Sequence, residues 1–264
     1  MKLLILCIDG FLDPTDPARP PCNLHMPYET SLTIPRELYT THIGKVEDDG
    51  VVTEEEPSTL KIWASLFTGR ILDDNLTEME AEQEGSRYKI RKLLHFFGIR
   101  WRREKWSRFK KKVWFESITP NYKEKLVTDE YNSLMWNIPT ICPEFIYHFP
   151  DIDILLSTRQ REYQIWKLLA ESLAISEQYD LGVIYFHLLD ILGHSKKPLI
   201  KEYRDIMVLA KTLSSFCEVM VVSDHGTSPV TGHHTHLSYF GSAQPIRAES
   251  VLDVANEIRR VMNG

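Results

Sequence analysis

The sequence predicts an α/β protein: a mostly parallel central sheet with helices on both faces and an inserted helical or irregular cap. Three observations carry that prediction. Short apolar runs end abruptly in acidic or imidazole residues, amphipathic helical segments alternate with those runs, and a long aromatic-rich stretch between them lacks strand alternation.

Lys2 to Ile8 is the first core strand and leads into Asp9-Gly10; its apolar stretch is too short for a secretory signal. Asp13 to Pro21 carries four prolines in nine positions and reads as a loop. Glu47 to Glu56 reads as an acidic loop. It precedes Pro57 to Arg70, a loop and then about two helical turns with Ile62, Leu66 and Phe67 inward, closed by Gly69. From Ile71 to Leu155 the pattern turns helical, aromatic and irregular, so residues 71–155 are expected to form an inserted cap on a core of 1–70 and 156–264. Within that cap, Arg100 to Lys112 interleaves basic and aromatic residues and reads as a solvated helix face first and an anion-binding or nucleic-acid surface second, the whole chain being acidic. Arg159 to Ala174 has helical spacing and feeds the Leu181 to Phe186 strand, and Ile200 to Phe216 does the same for the Val219 strand. Tyr239-Phe240 reads as a short strand, and Val251 to Met262 as a closing helix with Val251, Val254, Ile258 and Val261 on one face.

With 264 residues the chain is long enough to bury a sizeable core. A net charge of -6 and a pI near 5.9 argue against general nucleic-acid or membrane-surface affinity. No run approaches the roughly 18 apolar residues that span a bilayer. Cys7, Cys22, Cys142 and Cys217 lie far apart without C-x-x-C spacing, which fits unpaired thiols in a reducing compartment. A cytoplasmic protein is expected.

The strand ends carry the chemistry. Asp190 and His194 are four apart, so on a helical turn both project from one face and can grip one ion. Asp224 and His225 follow the Val221-Val222 run, and Gly226 is expected to let the backbone leave its pleat there. His233, His234 and His236 offer alternative ligands on one loop, of which His234 is favoured, and Asp9 stands level with the others. Seven or more oxygen and nitrogen ligands with no cysteine pair suit one or two divalent ions better than a structural thiolate zinc. Two close ions lower the pKa of a bound hydroxyl and neutralise phosphoryl oxygens during in-line displacement. Thr59, in the loop entering the Ile62 helix, is the best nucleophile, with Ser58 and Ser65 as competitors.

Asp9-Gly10, Thr59 nine residues before Thr68-Gly69-Arg70, Asp190-x-x-x-His194, Asp224-His225-Gly226 and the late His-Thr together resemble the alkaline phosphatase superfamily, in particular its type I phosphodiesterase/nucleotide pyrophosphatase branch. Trp63 to Arg70 is similar to that branch's segment after the nucleophile. Phe186 to Asp190 is similar to its metal-bearing strand end, and Asn137-Ile138-Pro139 to a loop before its cap. The resemblance implies two divalent ions per chain, zinc or manganese first and iron or magnesium next. Asp9, Thr59, Asp224 and His225 would hold one ion, and Asp190, His194 and His234 the other. It implies a phosphodiesterase or nucleotide pyrophosphatase that forms a covalent phospho-threonine at Thr59 and acts on a small phosphorylated substrate, nucleotides included. Phosphomonoesterase, phosphonate hydrolase and phosphosugar mutase activities are the alternatives within the superfamily. A non-catalytic, metal-stabilised binding protein is the alternative outside it.

Overall fold

β1 (Leu3–Ile8) is buried along its whole length, and its side chains alternate between two separate cores. Leu4, Leu6 and Ile8 join one hydrophobic cluster while Leu3, Ile5 and Cys7 join the other. That alternation is why the strand reads as an unbroken apolar run: both of its faces are covered. The computed structural model describes residues 1–47, 50–71, 115–116, 125–136, 138, 146–147 and 152–264.

The other strands are β2 (Tyr28–Thr33), β3 (Tyr39–Glu47), β4 (Gly50–Pro57), β5 (Phe115–Glu116), β6 (Ser133–Trp136), β7 (Ile146–Tyr147), β8 (Leu181–Phe186), β9 (Glu218–Val222) and β10 (Leu237–Ser242). The helices are α1 (Thr59–Thr68), α2 (Ile152–Ala174), α3 (Leu188–His194), α4 (Ile200–Leu213) and α5 (Val254–Asn263). Six strands form the main sheet in the order β2-β10-β9-β1-β8-β6. β9, β1, β8 and β6 run parallel, whereas β10 is antiparallel to both β9 and β2. The sheet is therefore mixed and mostly parallel, as the sequence predicts.

Helices cover both faces. Tyr163, Ala170 and Leu173 of α2, Leu189 and Leu192 of α3, and Tyr203, Ile206 and Leu213 of α4 pack with the Leu4 set. Ile62, Trp63 and Leu66 of α1 and Val254, Ala255 and Ile258 of α5 pack with the Leu3 set. Each fully buried Leu or Ile contributes roughly 1.5–3 kcal/mol of transfer free energy. α1 opens on Ser58, whose side chain accepts from the Lys61 N–H, and closes on Gly69 in the left-handed region. Cys7 is buried and Cys22 and Cys217 are half-buried; no disulfide forms among the described residues.

Two sequence expectations change. Glu47 to Glu56 is not a loop: β3 and β4 pair antiparallel as a hairpin, the Val51-Val52-Thr53 run supplying strand residues and Asp48-Asp49-Gly50 a turn signal in the sequence. Ser133–Trp136, read as part of the stretch outside the sheet, is its edge strand beside β8. Four residues at an edge are too few to show alternation. β5 and β7 pair as a separate two-stranded ladder. The basic-aromatic segment at 100–112 lies outside the described residues, as do Asn137 and Pro139, whereas Ile138 is buried. No described helix is long and apolar enough to cross a membrane.

Candidate metal centre

Register builds the site. Ile8 pairs with Phe186 across β1 and β8, and Cys7 with Val222 across β1 and β9, so three parallel strands stop at the same sheet edge. The residues that follow are Asp9, His187 and Ser223-Asp224-His225, at the carboxyl ends of the strands where open α/β sheets place their ligands. β1 lies between the other two, so their end residues meet over its tip.

Past the strand ends the backbones stay in contact. Gly10 and Gly226 form a parallel bridge, and the Thr227 N–H donates to the Gly10 carbonyl at 3.1 Å. Gly10 has φ +76°, and a β-carbon there would stand 2.6 Å from the Asp190 Cα. That contact lets α3 approach and bring in Asp190 and His194, one helical turn apart. Gly226 is needed for a different reason from the one expected: its φ is not positive, but a β-carbon would meet the Thr235 hydroxyl at 2.5 Å and Leu12 at 2.8 Å. Close packing, not a special turn, calls for glycine.

Three overlapping groups of ligand atoms result: Asp9, Asp224 and His225; Asp190, His194 and His234; and Asp9, His187 and Asp190. In the first, His225 Nε2 is 3.1 Å from Asp224 Oδ2 and 3.6 Å from Asp9 Oδ1. The Thr59 hydroxyl is 2.9 Å from the same nitrogen. In the second, Asp190 Oδ1 is 3.2 Å from His194 Nε2 and 3.6 Å from His234 Nε2. The His225 and His234 rings stack at 3.7 Å and tie the two groups together.

Tautomers follow from the outer hydrogen bonds. Nδ1 of His194 lies 2.7 Å from the Gly232 carbonyl, that of His234 3.1 Å from the Pro57 carbonyl and that of His225 3.2 Å from the Gly226 carbonyl. A carbonyl only accepts, so each Nδ1 carries the hydrogen, and whenever a ring is neutral its Nε2 turns a lone pair inward, the arrangement that supports metal-ligating imidazoles. The Thr59 hydroxyl then donates to His225 Nε2.

The carboxylates are under strain. Asp9 is 1% and Asp224 0% exposed, and Asp9 Oδ1 and both Asp224 oxygens lack a well-placed hydrogen-bond donor among the described residues. Burial, then the neighbouring Asp224 and Asp190 charges, holds the Asp9 carboxyl well above its ordinary range; burial and Asp190 do the same to Asp224. Asp190 goes the other way: burial pushes it up, but the imidazoles of His187, His194 and His234 outweigh that and hold it well below. His194 is raised to about 9, because Asp190, the Gly232 carbonyl and Glu56 outweigh its burial. Burial keeps His225 and His234 below the usual histidine range, aided at His225 by the neighbouring His234 and at His234 by His194. Buried carboxylate oxygens without a donor, Asp9 Oδ1 and the two of Asp224, facing imidazole nitrogens fit a divalent cation: the ligand atoms are oxygen and nitrogen, and positive charge is what they lack.

All seven residues singled out in the sequence, Asp9, Thr59, Asp190, His194, Asp224, His225 and His234, meet in this cluster. The neighbours of His234 do not: His233 Nδ1 bonds Glu56 at 2.8 Å, and His236 stacks on Tyr39. Thr59 is not in a loop but opens α1, with Ser58 as its N-cap. Ser65 is fully buried six residues further along that helix, roughly 9 Å by the helical rise. Sequence reasoning passed over His187, Tyr185 and Glu56. His187 was visible as an imidazole at the end of an apolar run, whereas Tyr185, whose hydroxyl donates to Asp9 Oδ2, reads as an ordinary strand residue. The β3–β4 hairpin supplies both Glu56 and the Pro57 carbonyl.

A cavity of about 660 Å³ adjoins the cluster through His234, with the proline-rich Asp13 to Ala18 loop on one side and the Ser228 to Leu237 loop on the other. Among the described residues its wall carries Asp13 and Asp16 but no lysine or arginine.

No protein-family model matches the chain, and no curated protein matches it. Among solved structures, the PH0037 protein from Pyrococcus horikoshii matches with a TM-score of 0.31 and 14% identity, over 37% of this chain and 32% of that one. The matched region spans about a third of that protein, and a likeness of this size assigns no function.

Proposed function

We propose that the chain is a two-metal hydrolase of phosphate esters, a phosphodiesterase or nucleotide pyrophosphatase first and a phosphomonoesterase next, with Thr59 as nucleophile. The observation that carries this reading is the Thr59 hydroxyl set 2.9 Å from His225 Nε2, beside two Asp/His groups, one buried and one opening to the surface at His194, that could each hold an ion. Asp9, Thr59, Asp224 and His225 would hold one ion and Asp190, His194 and His234 the other. Zinc or manganese there would supply charge that acidifies the threonine hydroxyl and neutralises the non-bridging phosphoryl oxygens.

The chain's own residues do the rest. Thr59 Oγ1 forms the bond to phosphorus, the P–O bond to the leaving group breaks, and the alcohol of an ester, or the phosphate of a pyrophosphate, departs while the threonine proton passes to it or to solvent. Water then cleaves the phospho-threonine and restores the hydroxyl. As the first residue of a ten-residue helix, Thr59 also receives the phosphoryl group at the positive end of the helix dipole. The Asp13 and Asp16 wall of the adjoining cavity disfavours an anionic leaving group, which favours a phosphodiester with a neutral alcohol over a pyrophosphate bond. Residues 71–155, apart from the sheet strand Ser133–Trp136, are proposed as the cover over this site.

Hydrolysis of bis-p-nitrophenyl phosphate with added manganese or zinc, with chelator, and in Thr59→Ala tests the reading. Metal-dependent turnover that disappears in the variant is the expected result. Ion binding without turnover of any aryl phosphate would instead make the chain a metal-stabilised binding protein.

A further inference from the structure

Asp9 and Asp190 each direct one oxygen into a flanking group, Oδ1 of Asp9 toward His225 and Oδ1 of Asp190 toward His194 and His234. The second oxygen of each lies within reach of His187. Its Nε2 lies 3.4 Å from Asp9 Oδ2 and 3.6 Å from Asp190 Oδ2. Both distances exceed an ordinary N–H···O bond of about 2.7–3.2 Å. They do match the edge of a coordination shell: ligands about 2.0–2.2 Å from a common ion stand roughly 2.8–3.6 Å apart. The two flanking groups show the same spacing, from 3.0 Å between His194 and His234 Nε2 to 3.6 Å between Asp9 and His225.

The position of His187 supports a role other than a structural one. It fills the N-cap of α3, where Ser, Thr, Asp or Asn would accept from the first-turn N–H groups, yet its side chain makes no capping bond. Its ring turns instead to two carboxylates that are 1% and 7% exposed. The Tyr185 hydroxyl takes one lone pair of Asp9 Oδ2 and leaves the other for an ion. At 30% side-chain exposure, His187 leaves room for water in the remaining coordination positions.

We propose that His187, with the outer oxygens of Asp9 and Asp190, forms a third cation position between the other two, bridged to each by one carboxylate; this rests on the reading that Asp9 and Asp190 carry the flanking ions. Two carboxylate oxygens, one imidazole and open water positions favour an oxygen-preferring ion such as manganese or magnesium. The carboxylates are shared, so this ion binds most weakly of the three and enters last.

The test counts manganese bound per full-length chain at equilibrium, in the wild type, His187→Ala and His187→Asn. The asparagine variant keeps a good N-cap residue and so preserves α3 if alanine unfolds it. Three ions in the wild type and two in a folded variant, with the two tighter affinities unchanged, is the expected result. Two ions in the wild type, or three in a variant, overturns the third position and leaves the two-ion site standing. Loss of all binding in the folded variants overturns it too, by making His187 a support for the other ligands. A wild type that binds none removes the two-ion reading and the third position together.

Discussion

His194 Nε2 and His234 Nε2 face each other across 3.0 Å, each with its Nδ1 held by a backbone carbonyl. With both rings neutral, two lone pairs oppose each other and only a positive charge between them relieves the contact. In the ion-free chain a proton on His194 serves, and a divalent ion is its natural replacement.

Replacing either imidazole removes that arrangement. His234→Ala is expected to weaken binding of at least one ion by more than the 10–100-fold typical of losing an outer partner. His233→Ala, one residue away with its ring turned to Glu56, is expected to keep both ions. Metal content after gel filtration separates the two, and equal loss in both variants would rule out His234 as the ligand.

Charge removal at two similar aspartates should act with opposite sign in chelator. The Asp224 carboxyl is raised, so it favours folding most below its unfolded pKa near 3.9 and loses that benefit as pH rises toward its folded value. Asp224→Asn therefore raises the neutral-pH Tm of the ion-free protein, by about 2–4 °C for each kcal/mol of relieved repulsion. Asp190 is depressed, so its ionised form stabilises the fold above the unfolded pKa. Asp190→Asn lowers the same Tm. Calorimetry with and without chelator gives both signs, and both variants lose the Tm gain that added ion brings.

His194 sets a pH window. Its folded pKa of about 9 lies above the unfolded value near 6.5, so its contribution is fully present below 6.5 and is lost as pH rises through 9. The side chain is 41% exposed, which screens the pair and keeps the effect small. Between pH 6.5 and 9 the ion-free wild type should lose more Tm than His194→Gln; parallel curves would show that Asp190 and His194 are not paired.

Gly10→Ala tests the backbone frame. Left-handed backbone at a non-glycine residue costs roughly 1–3 kcal/mol, and here the added carbon also presses on the Asp190 Cα. Lower stability together with weaker ion binding is expected in denaturant and metal titrations. A loss of stability with unchanged ion affinity would detach Asp190 from the Gly10 contact.

Much of the site was legible because its pieces are local. Burial on both faces makes β1, β8 and β9 continuous apolar runs, and the abrupt change to Asp9, Asp190 and Asp224-His225 marks where each leaves the core. Helical spacing alone puts Asp190 and His194 on one face of α3. The β3–β4 hairpin was hidden because its Glu54-Glu55-Glu56 run resembles a solvated loop, although Glu56 and the Pro57 carbonyl orient two of the loop histidines.

The sequence by itself determined the α/β class, the strands that end in acidic and imidazole residues and a threonine close to the Ile62 helix, since periodicity and side-chain chemistry are properties of consecutive residues. Tertiary structure alone decided the strand order with its antiparallel β10, the selection of His234 over His233 and His236, and the entry of His187 between two carboxylates. Those outcomes depend on strand register and on carbonyls or carboxylates contributed by distant segments, and no local pattern records which distant group a side chain will meet.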